Sequence, residues 1–63
     1  VKKGKLEFYN NDKGYGFIKE DSTNEKYFVH VSSINGEILE GDKVSFELEK
    51  GPKGLNAVRV SKI

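Results

Sequence analysis

Sixty-three residues at 7.1 kDa suffice for one small domain, 1–63, and leave no room for a second. Folding at this size buries only about 60% of the surface the unfolded chain exposes, so the core is thin and a large enclosed active site is excluded. Cysteine is absent and histidine occurs once, which removes disulfides, thiolate nucleophiles and Cys–His or multi-His zinc sites. Eleven basic against ten acidic residues give +1, shared evenly between the two halves. A polyanion would therefore have to be held by local clusters of charge or by contacts other than Coulomb attraction.

Leu, Ile, Val and Phe make up 18 of the 63 residues, well above the roughly 20% at which chains tend to stay disordered, so the chain is expected to fold. Its longest apolar run is Tyr27-Phe28-Val29, against the ~20 residues of a membrane span, and no charged segment leads into an apolar one as in a secretory signal. These features fit a cytoplasmic protein. Val1 in place of an initiator Met is what a trimmed start or a piece of a longer protein would leave.

Turn residues punctuate the chain at Asn10-Asn11-Asp12-Lys13-Gly14, Asp21-Ser22-Thr23-Asn24, Asn35-Gly36, Glu40-Gly41-Asp42 and Gly51-Pro52-Lys53-Gly54. Between them lie strand-length runs at residues 5–10, 15–20, 26–31, 43–49 and 55–61, the pattern of a small all-β sandwich or barrel. Helical periodicity is missing, so helix is limited to a turn near Ser32 and Ile34.

Alternation assigns the faces, because successive strand side chains point opposite ways. In the first run it puts Phe8 inside with Leu6. The second run has Tyr15, Phe17 and Lys19 on one face and Gly14, Gly16, Ile18 and Glu20 on the other. Placing Ile18 inside leaves the rings outside and lets the glycines curl the strand tightly. In the third run Tyr27, Val29 and Val31 form the apolar face, leaving Phe28 outside between Lys26 and His30. The fourth run buries Val44, Phe46 and Leu48. The fifth buries Val58 and Val60, with Arg59 and Ser61 outward. Tyr9 and Tyr27 read as core residues whose hydroxyls need partners.

Six of the seven aromatic residues fall within the first 28 positions. Tyr15, Phe17, Phe28, His30, Lys19 and Lys26 thus build one outer patch, in which flat rings alternate with cations. Such a surface stacks unpaired bases at ~1–3 kcal/mol each, with little regard for sequence. Duplex bases already stack on one another and cannot use it.

Lys13-Gly14-Tyr15-Gly16-Phe17-Ile18 resembles the first ribonucleoprotein motif, and Tyr27-Phe28-Val29-His30-Val31 resembles the second. Preceded by Gly4-Lys5-Leu6-Glu7-Phe8-Tyr9-Asn10 and followed by Val44-Ser45-Phe46-Glu47-Leu48 and Asn56-Ala57-Val58-Arg59-Val60, they resemble a cold-shock domain over nearly the whole chain. An RNA-recognition motif, which shares the first signature, needs two helices and more length. The resemblance implies a five-stranded antiparallel OB-fold barrel that binds single-stranded RNA or DNA, in the manner of an RNA chaperone or cold-shock regulator. It also implies a site of Phe8, Tyr15, Phe17, Phe28 and His30, with Asn10 and Lys13 lining it. Exposing Phe8 against strict alternation requires a bulge in the first run. The chain departs from the family at Phe8, usually Trp in bacterial members; at Glu7, typically Lys; at Val31, commonly aromatic; and at Tyr27, normally a small aliphatic. The 34–44 stretch is short and lacks its aromatic. These departures predict weaker binding and a shorter footprint.

Catalysis is not expected, since nothing brings a nucleophile, a base and an orienting group together around His30, Ser32 and Ser33. Gly14-Tyr15-Gly16 is no dinucleotide fingerprint, as Lys19 stands where the third glycine belongs. No cofactor and no membrane partner are expected, and the domain should be a monomer. The near-neutral charge and Glu7 keep one alternative open, a small-barrel protein-interaction module in which the same rings hold a peptide.

Overall fold

The alternating runs fold as strands, and the Asn, Asp and Gly clusters as the turns between them. In the computed structural model, which describes residues 1–52 and 54–63, the strands are β1 (Lys2–Asn10), β2 (Tyr15–Glu20), β3 (Lys26–His30), β4 (Ile34–Asn35), β5 (Lys43–Gly51) and β6 (Gly54–Lys62). A single 3₁₀ turn, Val31–Ser33, links β3 to β4. Lys53, within the last turn read from the sequence, lies outside the described residues.

β1 pairs antiparallel with β2 on one side and β5 on the other; β2 continues to β3, and β5 to β6. The ring closes where β3 meets β6 in parallel, through Phe28↔Asn56 and Val29↔Ala57. Five strands thus close into an OB-type barrel, and the two-residue β4 adds a parallel pairing outside the ring. Four of the five ladders are antiparallel, as expected, and the closing one is parallel.

Inside lie Leu6, Ile18, Val29, Val44, Phe46, Ala57 and Val60, with Ile38 packed in from the loop after β4. Tyr9 and Tyr27 lean on this core half-buried rather than sitting within it. Tyr27 Oη donates to Glu25 Oε2 at 2.9 Å, and that bond, with Glu25's charge, pushes its phenol up to about 12. Glu20 is buried at the C-terminal end of β2, where its carboxylate accepts from Ser22 Oγ at 2.8 Å and Thr23 Oγ1 at 3.4 Å and pairs with Lys2 Nζ at 3.4 Å. The Ser22 bond is the main reason its carboxyl lies below the usual carboxylate range.

Two irregularities correct the strict alternation. Between Leu6↔Ile18 and Phe8↔Phe17 the register slips by one, so Glu7 is an extra residue and Phe8 turns outward with it. In β6 the slip falls between Ser61 and Val58, and Arg59 takes φ 51°. The buried pair there is Ala57 and Val60, while Val58 is half-exposed, contrary to the expected Val58/Val60 face. Val31 is likewise not part of the β3 apolar face: the chain turns at His30, and Val31 is left 45% exposed. Gly16 is required by close approach, because a Cβ there would run into the Phe8 carbonyl and stand 3.0 Å from the Tyr9 ring.

Candidate nucleic-acid interface

Directly opposite residues on paired strands share a face, so the register of β1, β2 and β3 lays out the outer surface in rows. One row is Phe8–Phe17–Phe28 and the next is Asn10–Tyr15–His30. Phe8, Phe17 and Phe28 are 41%, 37% and 37% exposed, on a sheet whose inner side is filled by Leu6, Ile18 and Val29. The rings partly cover one another: Phe8 lies 6.2 Å from Phe17, Phe17 6.0 Å from Phe28, and Tyr15 stacks on Phe28 at 5.7 Å with planes 18° apart. These contacts, together with the 6.1 Å Phe8–Tyr15 approach, hold four rings as one rigid platform before any ligand arrives.

The polar residues frame this platform. Asn10 Oδ1 accepts from Lys13 N–H at 3.1 Å and Asn10 O from Gly14 N–H at 2.8 Å, closing the β1–β2 turn that carries the exposed Lys13. Gly14 has φ 71°, a conformation open to glycine in that turn. His30 Nδ1 accepts from Ser32 N–H at 3.2 Å and lies 2.9 Å from Ser32 Oγ, capping the 3₁₀ turn. The neutral ring then carries its proton on Nε2, leaving that N–H as an outward donor. Lys19 and Lys26 are opposite each other at the far end of the face. The half-exposed Lys19 has Glu7 Oε1 at 3.8 Å, the acid the bulge brings outward.

All nine residues expected at the site are therefore on β1, β2, β3 or the turn joining the first two. Missed from the sequence is an apolar groove of about 480 Å³ beside Phe28, lined also by Pro52, Leu55 and Asn56. Only the parallel closure of β3 on β6 brings these residues together, and no local pattern signals it. A second hollow of about 350 Å³ is walled by Tyr9, Val31, Ile34 and Ile38 and includes Leu39, 73% exposed. Among the described residues no three His, Cys, Asp or Glu side chains are grouped to hold a metal ion, and no helix is long and apolar enough to cross a membrane.

Residues 2–63 match the family model described as the 'Cold-shock' DNA-binding domain. The Major cold shock protein of Micrococcus luteus is 44% identical over 64 residues, covering 95% of this chain and 96% of that protein. Cold shock protein CspB of Bacillus caldolyticus is 40% identical over 67 residues, covering both chains entirely. Among solved structures, Drosophila Unr CSD456 superposes with a TM-score of 0.81 at 22% identity, covering 98% of this chain and 26% of that one.

Proposed function

The chain belongs to the cold-shock DNA-binding domain family, and from that premise we propose that it binds single-stranded RNA or DNA by stacking bases on Phe8, Tyr15, Phe17 and Phe28. The observation that carries this reading is the preformed outward ring platform. Its neighbouring phenylalanine rings are 6.0–6.2 Å apart, nearly twice the ~3.4 Å rise per nucleotide along one strand of a duplex. Bases seated on successive rings must therefore be unstacked from one another, which a single strand permits and a duplex resists. His30 Nε2–H, the Asn10 amide and Lys13, Lys19 and Lys26 supply the polar contacts at the rim.

The domain 1–63 acts as a monomeric, cytoplasmic RNA chaperone or cold-shock regulator, without catalysis or cofactor. Binding is weaker than in members with a fuller aromatic set, since Val31 and the 34–44 loop contribute no ring and each stack is worth ~1–3 kcal/mol. A titration of tyrosine fluorescence with oligo(dT), oligo(U) and a duplex of equal length tests the reading. Single strands should quench Tyr15 emission with an affinity that falls as salt rises, and the duplex should not. No quenching by either single strand at high micromolar concentration would refute it and favour a peptide-binding role for the rings.

A further inference from the structure

Beyond the aromatic row, the register aligns a second row that the rim residues alone do not reveal. Lys26 is directly opposite Lys19, Lys19 opposite Lys5, and Lys5 opposite Lys43, so four lysines cross β3, β2, β1 and β5 in an unbroken line. With strands ~4.8 Å apart the line is roughly 14 Å long, and it runs about 6.7 Å, two residues, from the Phe28–Phe17 row. Like charges directly opposite are destabilising, and the chain has three such pairs in succession although its net charge is only +1. Elsewhere on the barrel opposite charges meet, as in Arg59–Glu47 across β6 and β5. The line is only partly compensated: Lys19 has Glu7 at 3.8 Å and Lys43 has Asp21 at 2.9 Å, while among the described residues Lys5 and Lys26 have no acidic partner within 4.0 Å.

We propose that Lys26, Lys19, Lys5 and Lys43 form a phosphate track. The backbone of a strand whose bases lie on the rings follows this line and continues past the platform, over β1 and onto β5. The proposal rests on the single-strand reading above and extends it to Lys5 and Lys43, two residues outside the aromatic face. A row of mutually repelling cations costs the free protein stability and becomes favourable only when polyanion lies along it. It is also the local cluster of charge that a near-neutral chain needs in order to hold nucleic acid.

The test is the salt dependence of (dT)10 binding, followed by tyrosine quenching from 50 to 200 mM NaCl, for the full chain and for Lys5→Gln, Lys43→Gln, Lys5→Arg and Arg59→Gln. Losing one phosphate contact should flatten the plot of log K against log salt by ~0.7, which weakens binding ~8-fold at 50 mM and ~3-fold at 200 mM for a contact whose worth vanishes at 1 M. Lys5→Gln should show this in full, Lys43→Gln less because Asp21 already holds its ammonium, and Lys5→Arg should restore the slope. Arg59→Gln, which removes the same charge from the β5–β6 surface, should leave the slope unchanged. Urea midpoints of the two Lys→Gln variants should be equal to or above that of the parent, and the quenching at saturation should be unaltered. Normal quenching with an unchanged slope in Lys5→Gln, or an equal change in Arg59→Gln, overturns the track and leaves the platform standing. If the parent binds no oligonucleotide, both readings fall together.

Discussion

Replacing Phe17 by alanine separates a binding ring from a structural one. Phe17 is at the centre of the platform, within 6.2 Å of Phe8, Tyr15 and Phe28. Its ring leaves the core beneath, Leu6, Ile18 and Val29, intact when removed. Losing one base–ring stack at ~1–3 kcal/mol corresponds to about 5- to 140-fold weaker binding at 25 °C. The cost in folding comes from the lost ring–ring contacts, of order 0.5–1.5 kcal/mol each and partly recovered by relaxation, so about 1–2 kcal/mol in all. Phe46 gives the opposite case: it is fully buried, and Phe46→Ala should cost ~3–5 kcal/mol and leave so small a domain largely unfolded. Calorimetric titration with (dT)7, paired with urea unfolding followed by circular dichroism, reads both quantities. Phe17→Ala should stay folded and bind far more weakly. A folded Phe17→Ala protein that binds within twofold of the parent would refute the stacking argument, and one that unfolds like Phe46→Ala would show the ring to be structural.

Glu7→Gln releases Lys19 from its 3.8 Å partner and removes a carboxylate from the binding face; oligonucleotide affinity should rise several-fold at 50 mM salt, with a slope steeper by up to ~0.7. Glu20 contributes stability through a carboxyl held below its ordinary value by Ser22 and Lys2. That contribution is present above the unfolded carboxyl's pKa and is lost as pH falls through the lower folded value, so the thermal midpoint should begin to fall below about pH 4.5, the carboxyl's ordinary value, and should fall less in Glu20→Gln. Gly16→Ala forces a Cβ against the Phe8 carbonyl; overpacking of this kind costs ~1–3 kcal/mol or more, and the urea midpoint should fall accordingly.

The faces of β2 and β3 were legible because each offers a clear choice: Ile18 and Val29 inside leave Phe17 and Phe28 nowhere to go but out. The β1 bulge was legible only as a conflict between alternation, which hides Phe8, and a motif that exposes it; the slip at Glu7 resolves it. The second bulge was missed because Arg59 at φ 51° carries no glycine to announce it, and Val58 in place of Ala57 looked the better core residue. Ile38 was missed for a different reason: it enters the core from a loop with no period to read. The Leu55 groove and the lysine row depend on which strands adjoin, β3 with β6 and β1 with β5, and pairing across the barrel is set by tertiary packing rather than by local pattern.

Proton NMR of the aromatic side chains, recorded as (dT)7 is added and again with a duplex of equal length, addresses the platform itself. Stacked bases shift the protons of rings they cover upfield, so the Phe8, Tyr15, Phe17 and Phe28 resonances should move together with the single strand while those of buried Phe46 stay in place. Unmoved platform rings beside a strand bound elsewhere on the barrel, or equal shifts with the duplex, would contradict the account.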